Sequence, residues 1–487
     1  MNKLPEIVYL AEQVREMERL AIEEQGILGI DLMRKAGLAV FKIIQNNYPE
    51  YDVTVFCGAG NNAGDGYVVA KLALEAGLKV TVCYLSIPDS LQGDAQTAYQ
   101  DYIQAGGVAS GFSLITTINN GVIIDALLGT GLNRDLSGRY AQAIELINDS
   151  ACPVISVDIP SGLNADTGDL MGCAVKADYT VSFIGLKQGM FTGFAAEYCG
   201  NIIFDSLNIP DDALKHIKHS ARIIPQPYLP KRHQCTHKGN NGHVLVVGGD
   251  TGFSGAIRLA AEAALRIGAG LVSVATRQSH AGLINVGRPE IMCHGVEHVD
   301  ELNLLIEKAT IVVIGPGLGQ MKWGKEMISQ VIVSGKPIIV DADGLNLLAN
   351  KGFNFDNWVL TPHPGEAARL LKCSTSEIAK DRYTAVSKLQ HKYGGIVVLK
   401  GAGTLVHTGE EIAISTTGNP GMASGGMGDT LTGMIAGLFA QGLNLESATT
   451  SAVYIHGKAA DLSAQQQGEI GLLASDLMPF IRKLVNE

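Results

Sequence analysis

The chain has 487 residues, too many for one ordinary hydrophobic core, so two domains of roughly 200–270 residues are expected. Hydrophobic residues make up 46% of the sequence and charged residues 17%, a balance typical of a well-buried α/β protein and not of a disordered chain. The net charge of −11 argues against nucleic acid and anionic membrane surfaces as partners.

No targeting or membrane segment is evident in the sequence. Residues 1–20 alternate charged and apolar positions and lack the apolar core of a signal peptide. The longest apolar helical pattern, 431–443, is too short to cross a bilayer. The eight cysteines form no Cys-x-x-Cys pair, so neither a zinc site nor a disulfide framework is indicated. We therefore expect a cytoplasmic protein.

Short apolar runs recur along the chain, each followed by a glycine turn and an amphipathic helix. This rhythm predicts parallel sheets, and hence an α/β fold, in both halves. In the first half we predict strands at 53–57, 80–85, 122–125, 154–158 and 180–184. In the second half we predict strands at 243–247, 271–275, 311–314, 337–340, 358–360 and 396–399.

A proline-rich segment separates the two halves. Ile209-Pro210-Asp211-Asp212 closes the first half, and Pro225, Pro227 and Pro230 follow. Prolines at this spacing cannot continue a helix or a central strand. The sequence therefore predicts a domain over 1–215, a linker over 216–232 and a second domain over 233–487.

Three polar loops follow predicted strands of the first half. They are Asn61-Asn62-Ala63-Gly64-Asp65, the segment Asp125 to Gly131, and Asp158-Ile159-Pro160-Ser161-Gly162. The first has the spacing Gly-x-Gly-x-x-x-Gly from Gly58, one residue too long for a dinucleotide fingerprint. Since the carboxyl ends of parallel strands meet at one sheet edge, we expect the loops to form one site.

These three loops resemble the NAD(P)H-hydrate epimerase family in their order, their spacing and the identity of their residues, and the resemblance covers nearly all of residues 1–215. Ala63 stands where the family more often has glycine. The resemblance implies a Rossmann-like three-layer α/β/α domain, a potassium ion held by Asn62, Asp125 and Ser161, and Asp158 as the acid/base group. It implies that the hydrated dinucleotide contacts Asn61, Asn62, Ala63, Gly64, Asp65, Gly129, Thr130, Gly131, Leu132, Asn133, Arg134, Asp135 and Asp158. Oxygen ligands suit a hard cation.

The glycine-rich segment 424–433 is the most informative stretch of the second half. Small residues lead to Asp429 and then to an apolar helix over 431–439. Glycines and a helix N-terminus together favour an anion. A carboxylate there can take a proton from a hydroxyl that attacks a phosphate, so the segment indicates phosphoryl transfer. The alternative is a helix start with Asp429 as a simple cap.

Further strand-end loops of the second half lie at 248–256, 315–319, 341–346, 361–366 and 400–404. The spacing from Gly319 to Lys325 fits part of a P-loop. It is followed by Glu326, which cannot supply the magnesium-binding hydroxyl, so we reject that motif.

Together with the 424–433 segment these loops resemble the ribokinase-like superfamily and, within it, NAD(P)H-hydrate dehydratase, over roughly 225–487. The 363–366 and 419–423 segments are rather specific to that branch. The resemblance implies a ribokinase-like α/β/α domain, with magnesium and ADP or ATP as cofactors. The substrate would contact Ala256, Gly319, His363 and Asp429. The nucleotide would contact Lys400, Gly401, Ala402, Gly403, Thr404 and Gly428.

The sequence therefore predicts a bifunctional enzyme that epimerises R- and S-NAD(P)HX and dehydrates the S epimer at the expense of ADP, giving AMP and phosphate. Its partners would be NADHX, NADPHX and an adenine nucleotide, in a homo-oligomer without nucleic acid or membrane. One alternative is a vitamin-precursor or sugar kinase with an appended domain. Another makes the amino half a non-catalytic binding module. ADP against ATP, and NADHX against NADPHX, stay open.

Overall fold

The computed structural model describes residues 4–114, 117, 118, 120–210, 215–349 and 352–487. It divides into two compact units, Met1–Arg222 and Ile223–Glu487. Asp211 and Asp212, which the sequence suggested as the close of the first domain, lie outside the described residues, and the predicted domain limits stay a prediction. No helix of the described residues is long and apolar enough to cross a membrane.

The amino-terminal unit is built on a seven-stranded parallel sheet. Its strands, with three short ones outside that sheet, are β1 (Ile7–Tyr9), β2 (Val53–Cys57), β3 (Val80–Tyr84), β4 (Ala109–Gly111), β5 (Val122–Ala126), β6 (Val154–Val157), β7 (Tyr179–Phe183), β8 (Leu186–Lys187), β9 (Asn201–Asp205) and β10 (Ala221–Ile223). The sheet order is β4-β3-β2-β5-β6-β7-β9. β1 pairs with β8 and β10 instead.

Helices cover both faces of this sheet. They are α1 (Ala11–Glu23), α2 (Gly29–Asn47), α3 (Asn61–Glu75), α4 (Gly93–Gln104), α5 (Arg139–Asn148) and α6 (Ala195–Tyr198). Successive strand residues point to opposite faces: Val55 and Ile124 pack in one apolar cluster, and Phe56 and Ile123 in another. Both faces are therefore buried, which explains the continuous apolar runs and confirms the three-layer prediction.

The carboxyl-terminal unit has a mostly parallel sheet. Its strands are β11 (His243–Val247), β12 (Leu271–Thr276), β13 (Met292–Gly295), β14 (Ile311–Ile314), β15 (Ile338–Val340), β16 (Trp358–Leu360), β17 (Ile396–Leu399), β18 (Leu405–His407) and β19 (Ile412–Ile414). They run in the order β13-β12-β11-β14-β15-β16-β17-β18-β19. β18 pairs antiparallel with β17, and β19 pairs antiparallel with β18.

The sheet of the carboxyl-terminal unit also packs against helices. These are α7 (Ser254–Ile267), α8 (Gln278–Ile284), α9 (Val299–Lys308), α10 (Lys322–Val333), α11 (Ala342–Leu348), α12 (Pro364–Leu371), α13 (Thr375–Lys380), α14 (Arg382–Tyr393), α15 (Met427–Ala440), α16 (Leu445–Gln467) and α17 (Leu477–Leu484). The two α/β domains predicted from the sequence are confirmed.

Each strand predicted from an apolar run is present, with ends shifted by one residue at most. Two helices begin earlier than the polar segments of the sequence indicated. α15 begins at Met427 and not at 431, because Gly426, with φ of +88°, precedes the first turn. α3 begins at Asn61, after Gly60 with φ of +92°. The polar residues expected in loops before these helices therefore lie within their first turns.

Candidate active sites

A cavity of about 530 Å³ opens in the amino-terminal unit beside the ends of β2, β5 and β6. The predicted contact residues that line it are Asn61, Asn62, Asp65, Gly129, Thr130, Gly131, Leu132, Asn133, Arg134 and Asp158. The three strand-end segments thus meet at one cavity, as expected for a parallel sheet.

Three of the predicted contact residues do not line this cavity. Ala63 is fully buried, and Asp135 is exposed elsewhere on the surface. Gly64 is buried against α2, where an added Cβ would lie 2.5 Å from the Met33 sulfur. Gly64 therefore serves the close packing of α2 on α3, and Met33 in turn lines the cavity.

Asp125 is a fully buried carboxylate at the end of β5. Its Oδ1 accepts from the Ser161 hydroxyl at 2.6 Å, and its Oδ2 accepts from the Ser156 hydroxyl at 2.8 Å and the Ser161 N–H at 2.9 Å. Burial raises the pKa of Asp125, and these hydrogen bonds only partly oppose the rise. No basic side chain of the described residues is paired with it.

Asn62 and Ser161 converge on the turn that follows Asp125. The Leu128 N–H donates to Ser161 Oγ at 2.8 Å, and a Cβ built on Gly129 would lie 3.7 Å from Asn62 Oδ1. Asn62 is 8% exposed, and its amide nitrogen has no hydrogen-bond partner within the described structure. A buried carboxylate without a counter-charge, next to hydroxyl and amide oxygens, is a donor set that fits a hard monovalent cation.

Asp158 is held in an unusual backbone conformation at the mouth of the cavity. Its φ is +66°, which is costly for a residue with a side chain and recurs at functional sites. Its Oδ1 accepts from the Phe183 N–H at 3.2 Å and from the Lys187 ammonium. Within the described part of the chain, Oδ2 makes no hydrogen bond. The second oxygen is therefore free to face a ligand.

Lys187 is a residue that sequence reasoning missed. Its side chain is 1% exposed, and besides Asp158 it donates to Ser182 Oγ and to the Phe183 carbonyl, both at 3.1 Å. The sequence feature that could have identified it is a lysine three residues beyond the predicted strand 180–184. That signal is weak, because lysines at strand ends are commonly solvated.

Further carboxyl groups line the same cavity. Glu18 and Asp94 were not predicted, whereas Asp65 was. Burial raises the pKa of Glu18, and the Asp158 charge raises it further. Burial also holds the pKa of Asp65 well above its usual value, helped by Asp158 and Glu18. The cavity therefore combines one ion-paired carboxylate with two carboxyl groups whose pKa values are raised by burial and by neighbouring negative charges.

In the carboxyl-terminal unit, Asp429 lies in the first turn of α15 and is half-buried. Burial, followed by the Asp341 charge, raises the pKa of Asp429 to about 6, although the Lys400 ammonium opposes this. A carboxylate with such a pKa is suited to act as a general base near neutral pH.

A buried charge network surrounds Asp429. Lys400 Nζ lies 2.8 Å from Asp341 Oδ1 and 3.9 Å from Glu366 Oε2. The Thr432 hydroxyl, one turn into α15, donates to Asp341 Oδ2 at 2.9 Å. Burial alone would raise the pKa of Asp341, but Lys400 outweighs it and holds that pKa below its usual value. Asp341 and Glu366 were not predicted as site residues, although their loops were noted.

Gly428 is in contact with this network. A Cβ built there would lie 3.0 Å from Lys400 Nζ, so the absence of a side chain lets the ammonium approach the start of α15. The predicted nucleotide contacts Gly428 and Lys400 are thus direct neighbours.

His363 caps α12 next to Lys400. Its Nδ1 accepts from the Gly365 N–H at 2.9 Å, and its Nε2 lies 3.4 Å from Glu366 Oε1. Burial lowers the pKa of His363, and the charges of Lys400 and Arg369 lower it further. His363 is half-exposed, and these effects favour the neutral form of its imidazole.

The remaining predicted positions lie on other loops of the unit. Ala256 is half-buried in the first turn of α7, and the Gly319 N–H donates to Asp343 Oδ2 at 3.0 Å. The 400–404 loop follows β17, and the Thr404 hydroxyl closes it by donating to the Gly401 carbonyl at 2.9 Å. Ala402 is exposed and Gly403 half-buried. Lys400 lies beside Gly428, and its charge acts on His363 and Asp429. Among the described residues, no hydrogen bond or ion pair joins Ala256 to them.

Comparison with known proteins defines the class to which both units belong. A family model described as NAD(P)H-hydrate dehydratase matches residues 244–483, and one described as YjeF-related protein N-terminus matches residues 29–189. A solved structure titled as the ADP/ATP-dependent NAD(P)H-hydrate dehydratase of Bacillus subtilis, co-crystallised with ATP and Mg²⁺, is 30% identical. It covers 53% of this chain and 93% of its own, with a TM-score of 0.49.

Relatives that match along the whole chain are more specific. The bifunctional NAD(P)H-hydrate repair enzyme Nnr of Coxiella burnetii is 46% identical over 99% of both chains. That of Escherichia coli K12 is 42% identical over 99% of this chain and 95% of its own. The chain belongs to the family of bifunctional NAD(P)H-hydrate repair enzymes. The predicted pairing of an NAD(P)H-hydrate epimerase domain with an NAD(P)H-hydrate dehydratase domain is confirmed.

Proposed function

We propose that the amino-terminal unit interconverts the R and S epimers of hydrated NAD(P)H in the 530 Å³ cavity, with Asp158 as the base. The observation that carries this assignment is the asymmetry of the Asp158 carboxylate. Oδ1 is held by Lys187 and Phe183, while Oδ2 makes no hydrogen bond within the described structure. Oδ2 would take the proton of the substrate hydroxyl, and Lys187 would balance the charge of the carboxylate before the proton arrives.

We propose that Asn62, Asp125 and Ser161 hold a potassium ion in the same unit. The fully buried Asp125 without a basic partner, and the Asn62 amide oxygen at the turn that follows it, support this assignment. The described residues contain no group of three or more His, Cys, Asp and Glu side chains suited to a metal, which is compatible with a site of one carboxylate and neutral oxygens. When bound, the ion would supply positive charge that fixes the turn carrying Leu128 and Gly129.

We propose that the carboxyl-terminal unit dehydrates the S epimer by way of a phosphorylated intermediate. Asp429 would take the proton of the substrate hydroxyl group. The oxygen of that hydroxyl group would at the same time attack the terminal phosphoryl group of the nucleotide. Phosphate then leaves, pushed by the electron pair of the ring nitrogen, and the resulting iminium ion loses a proton from the adjacent ring carbon, which restores the ring double bond of NAD(P)H. The Asp429 pKa of about 6 supports this role, because it leaves the group ionised at neutral pH yet still basic enough to accept a proton.

We expect the adenine nucleotide to lie between the 400–404 loop and the N-terminus of α15. A helix N-terminus favours an anion, and the glycines of both segments let the backbone approach phosphate. Ala256, Gly319 and His363 would then contact the hydrated ring or its attached groups. Magnesium would accompany the phosphates and neutralise their charge, and we expect ADP to be the donor, giving AMP and phosphate.

Localisation and assembly stay predictions. All eight cysteines are unpaired, which is usual in a reducing compartment and supports the expectation of a cytoplasmic protein. We also expect a homo-oligomer.

The proposed function is tested by incubating the protein with mixed-epimer NADHX or NADPHX and ADP or ATP, while the absorbance of the reduced ring is recorded. We expect complete recovery of the reduced cofactor, with AMP and phosphate formed when ADP is supplied. Phosphorylation of a sugar or of a vitamin-precursor alcohol, with no recovery of the reduced ring, would instead favour the kinase alternative.

A further inference from the structure

Epimerisation through ring opening needs an acid as well as a base. When a base takes the hydroxyl proton, the bond between that carbon and the ring nitrogen breaks, and the electron pair passes to the nitrogen. A proton must then reach the nitrogen, or the negative charge stays on it. The amino-terminal cavity should therefore contain a proton donor in addition to Asp158.

Most titratable groups of the cavity are unsuited to that role. Lys187 uses its three N–H groups on Asp158, Ser182 and Phe183. Arg15 and Arg134 also line the cavity, but an arginine does not release its proton in proteins. Asp94 is turned toward the start of α2, where an added Gly29 Cβ would meet its Oδ2. No tyrosine, histidine or cysteine of the described residues lines the cavity.

We propose that Asp65 is the proton donor of the epimerase, a role that rests on the proposed function of Asp158. Asp65 lies in α3 one turn after Asn61 and Asn62, and its side chain lines the same cavity as Asp158. No hydrogen bond to its carboxyl group is made by the described residues. Asn62 beside it is nine-tenths buried with an unpartnered amide nitrogen, a second sign that this wall of the cavity receives a polar ligand.

The charges around Asp65 favour its neutral form. Burial is the largest cause of the raised pKa of Asp65. The charges of Asp158 after β6 and Glu18 of α1 raise it further, whereas Lys187 of β8 opposes them. Asp94 of α4 acts on Glu18. Two carboxyl groups in one cavity thus have different environments: Asp158 is ion-paired with Lys187, and Asp65 is not ion-paired. Such a separation is how paired carboxyls divide acid and base roles.

The step balances without any other reactant. Asp158 Oδ2 takes the hydroxyl proton, the carbon–nitrogen bond breaks, and the Asp65 proton goes to the ring nitrogen, which leaves an aldehyde and a secondary amine. After rotation about the adjacent carbon–carbon bond, the nitrogen attacks the other face of the aldehyde. Its proton returns to Asp65, and Asp158 returns the first proton to the oxygen.

Three variants test this assignment. Asp65→Asn keeps the size and hydrogen-bond donation of a neutral carboxyl but cannot transfer a proton. We expect epimerisation to fall by ~100–10,000-fold in kcat with little change in KM. Glu18→Gln removes a charge that holds the pKa of Asp65 up, so the basic limb of the pH–rate profile should move to lower pH. Glu16→Gln is the matched control, because Glu16 lies on the same helix, exposed and paired with Arg19 at 2.7 Å.

The outcomes separate this inference from the proposed function. An Asp65→Asn protein that epimerises at the normal rate, or a Glu18→Gln profile identical to that of Glu16→Gln, overturns the role of Asp65. If Asp158→Asn also keeps its normal rate, the proposed function of the unit fails as well. If circular dichroism shows that Asp65→Asn is unfolded, the pH–rate profile of Glu18→Gln still tests the role of Asp65, because its basic limb should move to lower pH only if Asp65 is the acid.

Discussion

The Lys400 ammonium lies 2.8 Å from the carboxylate of Asp341. Asp341 is 1% exposed, and a second carboxylate, Glu366, lies 3.9 Å from the same ammonium. The resemblance implied that Lys400 contacts the nucleotide. Its position shows that it also compensates the negative charges around Asp429. Asp429, the proposed base of the dehydratase, therefore lies near two acidic residues that share the Lys400 ammonium.

Replacing Lys400 should destabilise the carboxyl-terminal unit. Lys400→Met leaves the buried Asp341 carboxylate without its partner, and removal of one member of such a pair typically costs about 3–5 kcal/mol. Lys322→Met is the control, because Lys322 is 88% exposed and 3.7 Å from Glu326, and such surface pairs contribute little. Urea unfolding at neutral pH measures both; equal free energies of unfolding would contradict the network.

The dehydratase should lose activity in mild acid. Because the pKa of Asp429 is about 6, a base with this pKa becomes protonated as the pH falls through 6, and the rate should drop roughly tenfold per pH unit below it. The Asp341 charge raises the pKa of Asp429, so Asp341→Asn should move this acidic limb to lower pH. The pH–rate profiles of the unmodified protein and of Asp341→Asn are measured on pure S epimer. If the acidic limb lies at the same pH in both, Asp429 is excluded as the titrating group.

Removing the base should separate chemistry from nucleotide binding. Asp429→Asn retains the shape of the first turn of α15, so calorimetric titration should show adenine nucleotide binding preserved. Dehydration should fall by ~100–10,000-fold, the usual range for a general base. Lost affinity with surviving turnover would instead make Asp429 a ligand of the nucleotide or its magnesium.

Much of this arrangement could be predicted from the sequence, because the polar residues directly follow apolar runs. Asp125, Asp158 and Asp341 each come at or just after the end of a buried strand, and parallel strands bring such residues to one edge. Glu18 and Lys187 could not be predicted in this way. Glu18 belongs to an amphipathic helix and Lys187 to a two-residue strand. Only tertiary packing places them near Asp158.

The short edge strands were missed for a related reason. β4 reads Ala-Ser-Gly and β13 reads Met-Cys-His-Gly, and neither has the β-branched run that indicates a buried strand. Each lies at a sheet edge and has only one neighbouring strand. Its pairing is therefore fixed by the strand beside it more than by its own composition.

Potassium should support only the epimerase. Asp125→Asn keeps the size of the side chain but removes the buried charge that would hold the ion, so epimerisation should lose its dependence on potassium and fall in rate. Dehydration of pure S epimer should be unchanged by the substitution and by exchange of potassium for a large organic cation. An epimerase that is equally active without potassium would contradict the proposed ligand set.

The central claim is that one chain carries two separate chemistries, and complementation tests it most directly. Asp158→Asn and Asp429→Asn are each incubated with mixed-epimer NADHX and ADP, alone and together, while recovery of NADH is recorded. With Asp158→Asn alone, we expect recovery of NADH to stop once the S epimer is consumed. With Asp429→Asn alone, we expect no NADH. The mixture of both variants should convert both epimers to NADH. Rapid complete conversion by Asp158→Asn alone, or failure of the mixture to exceed it, would contradict two independent sites.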